Sequence, residues 1–216
     1  MTVTAFDPGA HAARQQDEER RYHRRKAKAA DAIRDLLTAL EAPCSDEHTR
    51  ETPVRVARAF LELLSGYDED PSEHLCKTFP GPADGALVAV RGVRFTSLCA
   101  HHLLPFTGTA TVAYIPEDGA PVVGLSKLAR VVEGYARRLQ TQEILGEQIR
   151  DALIARLRTQ AAGVVITSHH SCMGIRGVRQ PDAEMVTSSL SGLFRDDPRA
   201  RAELMSLHPS PTGGPA

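Results

Sequence analysis

The sequence predicts an α+β fold, with helices packed on one face of an antiparallel four-stranded sheet and further helices in front of it. Three observations carry this. Apolar residues recur every three or four positions before Gly66 and again between Leu125 and Leu157, the period of an amphipathic helix. Runs rich in β-branched residues flank the second helical stretch in two pairs, over 86–98 and 107–115 and over 163–168 and 184–190, and such runs favour strands. A segment rich in Pro, Gly and acidic residues, 68–85, separates the two regions and reads as a loop. At 216 residues, 42% of them hydrophobic, the chain can bury one sizeable core without a second independent domain.

In chain order, residues 1–16 are expected to be a disordered tail and 17–82 a helical region. From Asp17 to Glu41 the pattern is a helix, apolar at Ala27, Ala30, Ile33, Leu37 and Leu40. Its basic run Arg20-Arg21-Tyr22-His23-Arg24-Arg25-Lys26 follows Asp17, Glu18 and Glu19 by one turn, which reads as a solvated helical face and not as a nucleic-acid patch. Thr52-Pro53 starts a second helix, hydroxyl at the cap and proline in the first turn, with an apolar face of Val56, Phe60, Leu63 and Tyr67. Arg55 and Arg58 lie in its first turns, against the helix dipole, and are either solvated or facing an anion or a partner subunit.

The core domain is expected over 83–207. Its first two strands are joined through Cys99-Ala100-His101-His102. Ser126 is expected to cap a helix with Leu128, Val131, Val132, Tyr135 and Leu139 on one face, and Leu145, Ile149, Leu153 and Leu157 mark the next helix, which carries Gln142-Glu143 at its positive end. The last two strands follow. Residues 208–216 read as a disordered Pro/Gly tail.

Composition excludes several classes. A formal charge of -1 is wrong for a globally basic nucleic-acid binder, and no apolar run approaches the roughly 20 residues needed to span a bilayer. The first residues lack a charged start followed by an apolar stretch, so no secretory signal is expected and a cytoplasmic address is. Cys44 and Cys76 carry no recognisable signal.

The chemistry concentrates in two short segments. Cys99 and His102 have the Cys-x-x-His spacing by which a tight turn aims two ligands at one ion, and thiol and imidazole recur in His169-His170-Ser171-Cys172. Either segment alone is more often chance or packing. Together they point to a metal, and thiolate with imidazole suits zinc.

These residues resemble the GTP cyclohydrolase I family. The matching pieces, in the family's order, are Thr52-Pro53-Val54-Arg55-Val56-Ala57, Cys99-Ala100-His101-His102, Gly124-Leu125-Ser126-Lys127-Leu128-Ala129-Arg130, Gln140-Thr141-Gln142-Glu143, His170-Ser171-Cys172-Met173 and Arg176-Gly177-Val178. The resemblance implies the tunnelling fold, whose sheets join edge to edge between subunits, and hence a homodecamer with active sites between subunits. It implies hydrolytic opening of the imidazole ring of GTP, loss of its carbon as formate, and closure to 7,8-dihydroneopterin triphosphate, the first step of tetrahydrofolate and pterin biosynthesis.

Carried over by position, Cys99, His102 and Cys172 become zinc ligands, leaving a fourth position for water, as catalytic zinc requires. His101 and His170 become the proton carriers, a task suited to imidazole because its ordinary pKa is about 6.5. Glu143 becomes the residue that accepts two parallel hydrogen bonds from guanine, with Gln142 a second contact. Lys127, Arg130, Arg176 and Arg55 become triphosphate contacts, and Ser126 lies near the ribose. His169, one residue along a strand from His170, is expected on the other face and read as structural.

One departure stands out. Ala100 occupies the place where the family usually has glutamate, with Asp182 or Glu184 as the acids that could offset it. Two rival readings follow: a paralogue with the same chemistry serving deazapurine biosynthesis, and a non-catalytic or altered-substrate paralogue that binds a purine or pterin. Retention of both His101 and His170 argues against a mere binding module, which has no use for two proton carriers.

Overall fold

Asp7 starts the first helix: its Oδ1 accepts a hydrogen bond from the Gly9 N–H at 2.9 Å, and Pro8 occupies the first turn, where its missing N–H costs nothing. The structure, a computed structural model, describes residues 7–42, 44–81 and 83–209. Helix α1 is Pro8–Ala39, so the tail expected over 1–16 is helical from Pro8 onward, and only its first six residues lie outside the described set. An Asp-Pro start without apolar periodicity was the missed signal. The basic run is exposed or half-buried, as a solvated face should be.

Helix α2 is Thr52–Leu63, burying Pro53 and Ala57. The chain divides into two compact units, Met1–Glu62 and Leu63–Ala216, and not near residue 82. The physical reason is that 68–85 is no simple loop. Asp70 caps a 3-10 helix, Pro71–Cys76, by accepting from Ser72 N–H at 3.0 Å. Leu75 in that helix is fully buried, and Arg156 Nη2 clamps it through Asp70 Oδ2 at 3.0 Å and Glu73 Oε1 at 2.6 Å. Strand β1, Thr78–Phe79, follows.

The second unit continues with β2 (Val88–Cys99), β3 (Pro105–Pro116), β4 (Val122–Val123), α3 (Leu125–Ala136), β5 (Leu139–Gln140), α4 (Gln142–Arg156), β6 (Thr159–His170), α5 (Ser171–Gly174), β7 (Glu184–Gly192), α6 (Leu193–Asp196) and α7 (Pro198–Leu207). The main sheet runs β5-β2-β3-β6-β7, and β1 pairs with β4 in a separate ribbon. The four long strands are antiparallel to one another, while β5 adds two residues in parallel to the end of β2.

Alternation assigns the two faces. Val112, Tyr114, Val164 and Ile166 pack with Leu128, Val131, Leu145, Ile149 and Leu153 of α3 and α4 in the main core, as the expected helical faces require. Ala113 and Val165 point the other way, against Phe194 and Leu204. Helices α6 and α7 thus cover the second face, and no element was expected there. Asp197 and Pro198 start α7, with Asp197 Oδ1 accepting from Arg199 N–H at 2.7 Å. Ser126 is not the cap of α3: Gly124 holds that position, and Ser126 is exposed in the first turn.

The expected tail at 208–216 begins with an anchored residue, and from Ser210 it lies outside the described residues. His208 bridges β3 and β6, with Nδ1 2.9 Å from Thr111 Oγ1 and Nε2 2.8 Å from Thr167 Oγ1. Burial holds its imidazole below the ordinary value. A histidine lowered on folding contributes stability that is complete above the unfolded value of about 6.5 and is lost as pH falls through the folded one. Urea midpoints should therefore fall more steeply between about pH 7.5 and 5 for the unaltered protein than for His208→Gln. Parallel curves would remove His208 from the account. No helix among the described residues is long and apolar enough to cross a membrane.

Candidate active site

Three chain reversals at one end of the sheet build the site. The first is the β2–β3 turn. Leu98 pairs with Pro105, the N–H groups of His102 and Leu103 donate to the Cys99 carbonyl at 3.2 and 2.9 Å, and Cys99 N–H donates to Leu104 O at 2.9 Å. Residues 99–102 thus form one helical turn, which puts positions i and i+3 on a common side. Leu103 closes it at φ 56°, a left-handed conformation that costs a side-chain-bearing residue about 1–2 kcal/mol. From the other side, β5 holds the turn through Ala100 N–H to Gln140 O at 2.9 Å.

The second reversal runs from β5 into α4. Thr141 caps α4, its Oγ1 accepting from Ile144 N–H at 3.3 Å, so Glu143 lies exposed in the first turn, where the dipole favours a carboxylate. Helix α4 lies tight on the sheet at Gly146, where a Cβ would come within 2.9 Å of Ser189 Oγ. The third reversal follows β6, whose last residue is His170, and places Cys172 in the single turn α5.

The ligand atoms of Cys99, His102 and Cys172 all lie within 4.8 Å of one another. Cys99 Sγ is 3.6 Å from His102 Nδ1 and 4.0 Å from His101 Nδ1. Bond lengths of about 2.3 Å to sulfur and 2.0–2.1 Å to nitrogen put neighbouring ligand atoms of tetrahedral zinc roughly 3.5–3.8 Å apart. The donor set therefore fits zinc in type, and the Cys99–His102 separation fits it in spacing. Burial, and then the neighbouring Cys99, push the Cys172 thiol up, since two sulfurs side by side resist becoming thiolates without a cation to share.

His170 borders this cluster. Its ring stacks on Phe106, centroids 4.5 Å apart and planes 4° from parallel, because Phe106 and His170 are register partners on β3 and β6. Burial holds its imidazole below the ordinary value, and the Glu143 carboxylate acts the other way. His169 points to the opposite face and meets Glu184 Oε1 at 3.3 Å. The expectation of a structural His169 thus has a partner. That partner, Glu184, sits opposite His169 in the β6–β7 register.

Gln142 does not fit its reading as a substrate contact. It is fully buried, and its amide is occupied on both sides: Nε2 faces the Ile166 and Met185 carbonyls and Thr187 Oγ1, while Oε1 faces Ser168 Oγ and His170 Nε2. One residue further round the helix, Glu143 is exposed. The sequence does not tell which member of the pair turns inward.

Ser126 and Lys127 lie in the first turn of α3, exposed and half-buried. Arg130, also on α3, opens on a cavity of about 240 Å³ lined by Glu69, His74 and Arg137 among others. Arg176 follows α5, close enough to Cys172 to favour its thiolate. Arg55 is exposed on α2 of the first unit. None of Lys127, Arg130, Arg176 and Arg55 is ion-paired to a carboxylate among the described residues.

The GTP cyclohydrolase I family pattern matches residues 29–209. The GTP cyclohydrolase 1 of Desulforamulus reducens is 48% identical over 176 residues, covering 82% of this chain and 93% of that protein. Those of Corynebacterium aurimucosum and Corynebacterium glutamicum are each 46% identical, over 189 residues (88% and 95%) and 198 residues (91% and 96%). The solved apo structure of the archaeosine synthase QueF-Like is a looser match, at TM-score 0.41 and 21% identity over 52% of this chain and 96% of that one. With a sequence match over most of its length, and with the Cys99, His102 and Cys172 ligand atoms brought together at the sheet end, this chain belongs to the GTP cyclohydrolase I family.

Proposed function

We infer that the protein hydrolyses GTP, opening the imidazole ring, releasing its carbon as formate and forming 7,8-dihydroneopterin triphosphate. The observation that carries this is the meeting of Cys99, His102 and Cys172 within 4.8 Å, bordered by two further imidazoles. Zinc held by those three side chains would supply Lewis acidity and a water made nucleophilic near neutral pH.

The remaining roles belong to the chain. Glu143, at the start of α4, accepts two parallel hydrogen bonds from the ring N–H and exocyclic amine of guanine, a donor pair that adenine lacks. Lys127, Arg130, Arg176 and Arg55 take the triphosphate, and their lack of carboxylate partners among the described residues supports this, since GTP brings about four negative charges to a protein of near-zero net charge. His170 and His101 move protons at the opening ring. The Ser126 hydroxyl, not consumed by capping, assists the ribose rearrangement. A homodecamer would give the open edges of the sheet partners and bring Arg55 to a neighbouring subunit's site. A cytoplasmic address accords with a soluble nucleotide substrate.

Ala100 favours a second reading, a paralogue that binds a purine or pterin without turning it over or acts on an altered substrate. Supplying the purified protein with zinc and GTP separates the two: released formate, together with a fluorescent pterin after oxidation, supports the enzyme. Bound GTP with no formate over hours would reject it, and Ala100→Glu would then show whether the missing carboxylate is the defect. A paralogue serving deazapurine biosynthesis would give the same products.

Within this reading, Glu143→Gln should weaken GTP binding by about 1.5–3 kcal/mol, the range for a hydrogen bond to a charged group, while zinc content stays unchanged. Calorimetry with GTP makes the measurement, and equal affinity would take Glu143 out of the base pocket.

A further inference from the structure

The side-chain amide of Gln142 has one orientation that suits its surroundings. Its Nε2 lies 3.0 Å from the Ile166 carbonyl oxygen, 2.9 Å from the Met185 carbonyl oxygen and 3.1 Å from Thr187 Oγ1. Carbonyl oxygens accept and never donate, so the nitrogen with its two N–H groups faces β6 and β7, and Oε1 faces the other way. There it meets Ser168 Oγ and, at 3.1 Å, His170 Nε2. An amide oxygen cannot donate either. The His170 nitrogen that meets it must therefore carry the hydrogen.

We propose that Gln142 is a positioning residue that holds neutral His170 in its Nε2–H tautomer and leaves Nδ1 as the ring's basic nitrogen. The hydrogen bond made by one imidazole nitrogen decides the state of the other. Three further constraints keep the arrangement rigid. Gln142 is fully buried, the imidazole plane is set by the stack on Phe106, and two of the three partners of Gln142 Nε2 are backbone carbonyls of paired strands, which cannot rotate away. Among the described residues, no group hydrogen-bonds His170 Nδ1. A ring held this way offers a lone pair at Nδ1, whereas the opposite tautomer would present an N–H there.

The role of this proton site in turnover rests on the function inferred above, but the tautomer itself does not, and the test keeps them apart. Zinc-loaded protein with 15N-labelled histidine is examined without GTP by solid-state 15N NMR near pH 8, where imidazole of ordinary pKa is neutral. The His170 signals are identified by their loss in His170→Asn. The expected spectrum has a protonated Nε2 and a bare Nδ1 for His170. Gln142→Met, similar in shape but without the acceptor, should shift His170 toward the Nδ1–H form, and formate release should fall about 10- to 100-fold in kcat with KM for GTP changed by less than about threefold.

A proton on Nδ1 in the unaltered protein overturns the proposal. So does a Gln142→Met protein whose KM rises while kcat holds, because that result returns Gln142 to the substrate pocket. Should Gln142→Met fail to fold, the spectrum of the unaltered protein still decides. Should the unaltered protein release no formate, the reading of the activity fails, and the spectrum still supports or overturns the tautomer.

Discussion

Replacing Cys99 or Cys172 by serine should abolish both metal retention and formate release. Each substitution removes one of the three proposed protein ligands, and an alcohol neither ionises at neutral pH nor matches thiolate as a zinc donor. The fold should survive with reduced stability. Cys99 is 6% exposed and part of the main core, with Cys172 packed against it, so the site touches the core and does not merely sit beyond the strand ends. Placing a hydroxyl there should cost about 1–3 kcal/mol. Metal content, subunit mass and formate are to be measured on one preparation. A chain that no longer folds would make the zinc structural, and one that keeps stoichiometric zinc would break the ligand assignment.

His170→Ala should lower kcat for formate release by about 10²- to 10⁴-fold, the range contributed by a positioned acid–base group. Zinc and GTP should still bind, because the ligand side chains and Glu143 remain. The substitution also removes the partner stacked on Phe106 at 4.5 Å and one of the two donors to Gln142 Oε1. His170→Asn, which keeps a polar group beside Gln142, separates proton transfer from packing: both variants should be slow, and only the alanine should lose appreciable stability. A near-normal kcat in His170→Asn would leave His101 as the proton carrier.

What the sequence alone determined is whatever depends on neighbours within a few residues. The period of Leu145, Ile149, Leu153 and Leu157 specified the buried stripe of α4 and of the residue that caps its end, and all four are buried. The i, i+3 spacing of Cys99 and His102 specified convergence, because a single helical turn suffices for it. The alternation of β6 placed His169 and His170 on opposite faces, as Glu184 and Phe106 mark them.

Tertiary structure decided whatever depends on partners remote in the chain. Phe194 and Leu204 are too sparse to announce a helical face, and they acquire one only against the second side of the sheet, where His208 also finds Thr111 and Thr167. The segment 68–85 looks like a linker until Arg156, some 80 residues later, pairs with Asp70 and Glu73. Gln142 and Glu143 are adjacent polar residues whose fates divide because a helix turns about 100° per residue. Only the packing of α4 on β6 and β7 determines which of them is enclosed by carbonyls and which is left facing solvent.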